Sequence, residues 1–190
     1  MTDIAEPELH AELMRRRDIE QEARFAVIHA EERGKDPDWA PVRLIDEDNL
    51  AFLVDVIGRY GWLGSDLVDV DGASACWLMV QHAPREYQER WLPLMEQAVA
   101  AGLARPGDLV YLQDRVNMSN GRRQTHGSQY QGRSGLVSRC RLWPVTDPAT
   151  LNARRAAVDL PPVDQDVIDN AWTVEELREQ GQELDHDPLD

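Results

Sequence analysis

The chain has 190 residues, a length that predicts one compact domain with extensions. Its 42% hydrophobic and 29% charged residues are ordinary for a globular protein, which excludes collagen-like, fully disordered and disulfide-scaffold classes. Thirty-five acidic residues against 20 basic ones give a formal net charge of -15. This balance argues against binding to nucleic acid or to an anionic membrane surface.

The sequence shows no secretory signal and no apolar run of membrane-spanning length. Its longest apolar run, residues 75–80, is typical of a buried helix segment. Cys76 and Cys140 are far apart and lack the spacing of a zinc or redox motif. We therefore expect a soluble, cytoplasmic protein with no metal site and no cofactor.

The first half of the chain predicts three helices. Helix-forming residues over 8–33 end at Gly34, and a Pro-containing linker, 35–44, leads to Asp46 as a plausible N-cap for the second helix. Residues 72–83 are almost all apolar or small, which is typical of a helix at the centre of a bundle. Pro84 is expected to end it.

The second half predicts two further long helices, 85–101 with a kink at Pro93 and one opening at Pro106, followed by a change of pattern. Residues 124–131 and 136–143 resemble the two strands of a hairpin. A short helix is expected over 149–158. The fold class is thus mainly α: one bundle-like domain of five to seven helices with a small β-hairpin.

An acidic C-terminal stretch follows Pro162. Residues 150–190 hold three arginines and eleven carboxylates. The capping-box spacing at Thr173 predicts one late helix up to Leu184, and we expect the rest to be a solvated tail. The predicted domains are 1–163, helical with the hairpin at about 124–143, and an acidic extension, 164–190.

A basic stretch lies in the middle of this acidic chain. Residues 111–141 contain six arginines, among them Arg115, and one carboxylate, Asp114. Guanidinium groups bind carboxylates and phosphates through paired hydrogen bonds, so this stretch could hold an anionic ligand. Alternatively, the arginines neutralise the acidic tail or solvate one face of the hairpin.

Other polar residues stand beside predicted core segments. Gln81 and His82 end the apolar helix, and Gln124, His126 and Ser128 would share one face of a strand. Each could instead be a structural group that satisfies neighbouring backbone. The remaining candidates are Gln129, Arg154 and Arg155. No familiar catalytic motif is present.

Several short segments, taken in order, resemble a bacterial family known only as a domain of unknown function. The family pattern runs GWP, QHAD, LPLL, LxDR, QxYGxQ and a late RR followed by GLPPL. The segments that carry the resemblance here are 46–49, 61–62, 75–83, 92–95, 111–115, 124–129, 147–148 and 152–155. The sequence departs from the pattern at Leu63, Pro84, His126 and Asp159, and His126 replaces a tyrosine. The resemblance implies no known activity.

The leading hypothesis is a polar pocket for an anionic small molecule or a peptide carboxylate. Arg115 or Arg154 would hold the anion, and metal-independent acid/base chemistry would use His82, His126 and Asp114. The predicted ligand-binding residues are Gln81, Arg115, Gln124, Gln129, Arg154 and Arg155. One alternative is a protein interaction module that uses the acidic tail. Another is a metal-dependent enzyme in which His82, His126 and Asp114 meet.

Overall fold

The computed structural model of the protein describes residues 4–132 and 140–182. Contacts along the chain divide it into two compact units, Met1–Asp108 and Leu109–Asp190, which are called unit 1 and unit 2 below. The predicted domain, 1–163, and its acidic extension, 164–190, stay predictions.

Unit 1 contains four long helices. They are α1 (Pro7–Glu32), α2 (Ala40–Tyr60), α3 (Ser65–His82) and α4 (Arg85–Ala100), and α5 (Pro106–Ser119) begins before the unit ends. Helix α1 packs against both α2 and α3, and α2 also contacts α3. The fully or almost fully buried side chains of this unit include Leu13, Leu53, Leu63, Cys76, Met79 and Met95.

Helix α2 begins earlier than the sequence predicts. Its first residue is Ala40, six residues before the expected N-cap at Asp46, so that expectation is wrong. Pro41 lies in the first turn, where its missing N–H would have had no intrahelical partner. A proline that resembled a linker residue is therefore a helix-starting residue.

Helix α3 contains a kink near its beginning. Val68 and Asp69 have non-helical backbone angles, and Asp69 has a φ of 58°. The Asp69 carboxylate accepts hydrogen bonds at 2.9 Å from the N–H groups of Asp71 and Gly72, so it caps the segment that follows. That segment corresponds to the predicted apolar helix.

Unit 2 is built from short elements. Strand β1 (Tyr130–Gly132) pairs antiparallel with β2 (Cys140–Leu142), with Tyr130 opposite Leu142. A 3-10 turn precedes three short helices: α6 (Leu151–Ala156), α7 (Gln165–Asp169) and α8 (Val174–Glu179). The hairpin is confirmed but is shorter than predicted, and its predicted loop extends beyond the described residues. Mainly α architecture is also confirmed.

The acidic C-terminal stretch contributes buried side chains to unit 2. Ile168 packs with Leu142, Val145, Leu151 and Val163. Trp172 and Leu177 form a second cluster with Trp143. Helix α7 is unpredicted, whereas α8 has the predicted capping box, formed by Thr173 and Glu176. The expectation of a mainly solvated tail is therefore wrong for this part of the stretch.

Candidate functional site

Four ionisable side chains of unit 1 meet where α1, α2 and the end of α3 come together. We call Glu20, Arg24, Asp46 and His82 the Glu20 cluster. The Glu20 carboxylate contacts Nδ1 of His82 and accepts from Nε of Arg24 at 2.5 Å. Nη2 of Arg24 donates to both oxygens of Asp46, at 2.7 and 2.8 Å. Arg24 therefore links the two carboxylates.

Burial is uneven across the Glu20 cluster. The Glu20 side chain is 0% exposed, whereas 20% of the His82 side chain and 24% of the Asp46 side chain are exposed. The buried carboxylate thus lies behind groups that reach solvent. Nδ1 of His82 is itself buried and meets Glu20 in an ion-pair contact without hydrogen-bond geometry, so the exposed part of the imidazole lies on its other ring atoms.

The two carboxylates of the cluster have opposite pKa shifts. Burial alone would raise the pKa of Glu20, but the close contact and charge of His82, with donors on Gln21 and Arg24, lower it to about 2. For Asp46, burial outweighs the charge and hydrogen bond of Arg24, and its pKa is raised. Glu20 is therefore held firmly in its charged form.

A second arginine links α1 to α2 beside the cluster. Arg16 precedes Glu20 by one turn, and its guanidinium donates to Asp48 at 2.6 Å and to Oδ1 of Asn49 at 3.1 Å. It also lies over the ring of Phe52, 4.4 Å from the centroid. Nδ2 of Asn49 is buried and has no partner among the described residues.

Glu20, Asp46 and His82 could also hold a metal ion. Each offers one ligand atom, and these atoms lie within 4.8 Å of one another. However, Arg24 donates to both carboxylates, so a metal ion would have to displace a guanidinium that already binds them. The residues have suitable donor types, but the geometry favours the arginine.

The carboxylate of Asp114 binds a backbone loop in unit 2. It accepts from the N–H groups of Thr125, His126 and Ser128 at 2.7–3.1 Å, and from Oγ of Ser128 at 3.0 Å. The Asp114 side chain is 0% exposed. Residues 124–129 therefore form a loop around a buried carboxylate, and the strand expected there is wrong; Gln124 makes only an isolated bridge to Val145.

Gln124 and the two late arginines also bind backbone. Nε2 of Gln124 donates to the carbonyls of Gln129 and Trp143 at 3.0 and 2.8 Å. The guanidinium of Arg154 donates to the carbonyls of Thr125 and Thr146. Arg155 donates to those of His126 and Pro161, among others.

The remaining predicted residues have the following surroundings. Burial lowers the pKa of His126, Asp114 partly opposes this, and the charges of Arg154 and Arg155 lower it further. Nδ1 of His126 is buried and unpartnered among the described residues. Nε2 of Gln129 donates to Oγ of Ser128 at 3.0 Å. Arg115 also interacts with other residues of the protein.

The predicted site residues thus fall in two units. Gln81, which is 4% exposed, and His82 belong to unit 1, and the seven others belong to unit 2. The hydrogen bonds described above bring five of these residues close together: Asp114, Gln124, Gln129, Arg154 and Arg155. The predicted common pocket stays a prediction.

Arg141, one of the six central arginines, binds the acidic C-terminal stretch. Arg141 makes two hydrogen bonds of 3.0 Å to the Glu176 carboxylate and lies over the ring of Trp172, 4.1 Å from its centroid. Neutralisation of the acidic stretch, one of the alternatives for these arginines, therefore occurs at Arg141.

Sequence reasoning missed Glu20 and Arg24. A signal was present, because Leu13, Glu20 and Val27 are spaced seven residues apart and are the buried positions of α1. A carboxylate on an otherwise apolar buried stripe needs a partner, and Arg24 one turn later supplies it.

A family profile described as "Family of unknown function (DUF6624)" matches residues 7–175. The chain belongs to this family. The match spans the Glu20 cluster and the Asp114 loop, and it confirms the resemblance to a domain of unknown function. No curated protein and no solved structure gives a significant match. No helix in 4–132 or 140–182 has the length and apolar character needed to cross a bilayer.

Proposed function

We propose that this protein is a metal-independent acid/base enzyme that acts on a small polar substrate. His82 exchanges the proton with the substrate, and Glu20 is its positioning carboxylate. The observation that carries the proposal is the contact between a fully buried carboxylate and Nδ1 of a partly exposed imidazole. Cys76 and Cys140 are thiols and form no disulfide with each other, which fits a reducing compartment, so we propose a cytoplasmic location.

The Glu20 contact favours one tautomer of His82. A carboxylate facing Nδ1 keeps a proton on that nitrogen, which leaves the lone pair of Nε2 as the base. When Nε2 takes a proton, the negative charge of Glu20 stabilises the resulting imidazolium. Because Nδ1 is buried, substrate would approach the other side of the ring.

The charge of the cluster selects the substrate. Two carboxylates and one guanidinium leave a net charge of -1 when the imidazole is neutral. Such a site favours a neutral or cationic substrate over an anion. The guanidinium groups of Arg154 and Arg155 already donate to backbone carbonyls, so we place no anion on them.

Two measurements test this proposal. Nitrogen NMR should find neutral His82 protonated on Nδ1 in the wild type, and Glu20→Gln should weaken that preference. A panel of chromogenic esters, amides and glycosides should reveal a turnover that His82→Gln abolishes. The matched control is His29→Gln, because His29 is exposed and outside the cluster. A neutral His82 protonated on Nε2 would contradict the proposal.

A second candidate is a metal-dependent enzyme on the same residues, favoured by the three ligand atoms within 4.8 Å. Calorimetric titration with Zn²⁺ and with Mn²⁺ distinguishes it from the first. Stoichiometric binding that is lost in Asp46→Asn would support the metal site. If Arg24→Met is needed before any metal binds, the guanidinium is the native occupant and the metal-independent proposal is favoured.

A further inference from the structure

A pocket of about 290 Å³ lies in unit 1, and no residue of the Glu20 cluster lines it. Its apolar walls come from α3, α4 and the segments that join α2 to α3 and α4 to α5, with Trp62, Trp77, Met95, Val99 and Leu103 among them. Val70 also lines the pocket and is 55% exposed, so the pocket reaches the surface. A volume of this size suits a small ligand.

The pocket contains a buried hydrogen-bond donor without a partner. Trp62 is 9% exposed, and its indole nitrogen has no acceptor among the described residues. Buried donors are nearly always paired, because an unmade hydrogen bond loses the solvation of the group and gains nothing in return. A water bound beside it would satisfy this N–H, whereas an ammonium group has no acceptor and would not.

The pocket also contains a carboxylate, that of Asp108. Burial raises its pKa, and the charge of Arg105 only partly opposes the effect. A desolvated carboxylate gains more from a cation placed beside it than an exposed one does. Arg105 also lines the pocket. Because Arg105 is exposed, water screens its charge better than it screens the charge of Asp108.

The apolar walls and the Asp108 carboxylate together identify the chemical class of the ligand. We propose that the pocket binds a small organic ammonium ion with an apolar body. The apolar part would fill the space between the walls, and the ammonium group would face Asp108. Tryptophan rings add to this preference, since indoles attract cations more strongly than other side-chain rings do. The net charge of -15 attracts cations to the protein as a whole.

Three probes of equal shape test the proposal on the full chain: 3-phenylpropylamine, 3-phenylpropanol and 3-phenylpropionate. Calorimetry should show the amine binding at least tenfold more tightly than the alcohol or the acid. The indole N–H resonance of Trp62 should shift during the amine titration. Equal affinities, tightest binding of the acid, or no binding of the amine would each overturn the proposal.

Variants locate the binding. Asp108→Asn keeps the shape of the side chain and should remove the tenfold preference for the amine. Asp71→Asn removes the same charge from an exposed residue outside the pocket and should leave the preference intact. If Asp108→Asn does not fold, Ser74→Leu provides the test, because Ser74 lines the pocket and a larger side chain there should block the amine. Undiminished binding to a folded variant of either kind would contradict the assignment.

Discussion

Gln124 and Gln129 bind each other twice in unit 2. The N–H of Gln129 donates to Oε1 of Gln124 at 2.8 Å, and Nε2 of Gln124 donates back to the carbonyl of Gln129 at 3.0 Å. The same Nε2 donates to the carbonyl of Trp143, and Gln124 is 0% exposed. The Gln124 side chain therefore makes the hydrogen bonds that a neighbouring strand would make, and it joins the 124–129 loop to Trp143, the residue after β2.

The first prediction concerns Gln124→Glu. A carboxylate keeps the acceptor but loses the donor, and it would face the carbonyl oxygens of Gln129 and Trp143. We expect the free energy of unfolding to fall by about 2–4 kcal/mol, since two buried acceptors lose their partner. Chemical denaturation measures the change. Gln97→Glu, at an exposed position of α4, is the control, and an equal effect of both variants would contradict the assigned role.

The second prediction concerns Asp114→Asn. The asparagine can accept fewer hydrogen bonds and has no charge, while three backbone N–H groups and the Ser128 hydroxyl still face it. We expect a loss of about 2–3 kcal/mol in unfolding free energy, with faster amide exchange at Thr125 and Ser128. Asp36→Asn, at an exposed residue, should have no effect on either measurement. Unchanged exchange at the loop amides would show that Asp114 does not hold them.

The helices were largely predictable because their signals are local. Apolar spacing and end residues predicted α1 at 8–33, and the structure has Pro7–Glu32. The start of α2 was missed because Pro41 has the same local signal in a linker and in a first helical turn. Helix α7 was missed because its acidic composition resembles that of a tail, although Ile168 packs on a core built from distant residues.

The candidate site was only partly predictable. His82 was identified as a polar group at the end of an apolar helix, but its partner Glu20 lies 62 positions earlier in the sequence and carries no local motif. Asp114 and the 124–129 segment were both identified. The contact between them depends on a loop conformation, whereas the sequence pattern predicted a strand there. Contacts between separate segments were therefore the part that local patterns could not supply.

The third prediction is the acid dependence of the Glu20 contribution. The pKa of Glu20 is about 2 in the folded protein, against an ordinary value of 4.5. A lowered pKa stabilises the fold above the unfolded value, and the stabilisation is lost as pH falls from about 4.5 through 2. At pH 7, Glu20→Gln should cost about 3 kcal/mol, because Arg24 and His82 lose a buried partner.

The measurement for this third prediction is the difference in unfolding free energy between the wild type and Glu20→Gln at several pH values. We expect the difference to shrink between about pH 4.5 and 2. Glu22→Gln is the control, because Glu22 is an exposed residue of the same helix and lies outside the Glu20 cluster. A difference that stays constant across this range would contradict the lowered pKa of Glu20.

The fourth prediction contrasts the two thiols. Burial raises the pKa of Cys76 to about 12, partly opposed by a backbone hydrogen bond from Leu63, and the residue is 0% exposed. Cys140 is exposed at the start of β2. Because the thiolate is the reactive form, a disulfide reagent at pH 8 should modify Cys140 rapidly and Cys76 only after unfolding. Cys140→Ser should abolish the fast phase, whereas Cys76→Ser should leave it unchanged. A fast phase that survives in Cys140→Ser would mean that Cys76 is reached by reagent in the native protein.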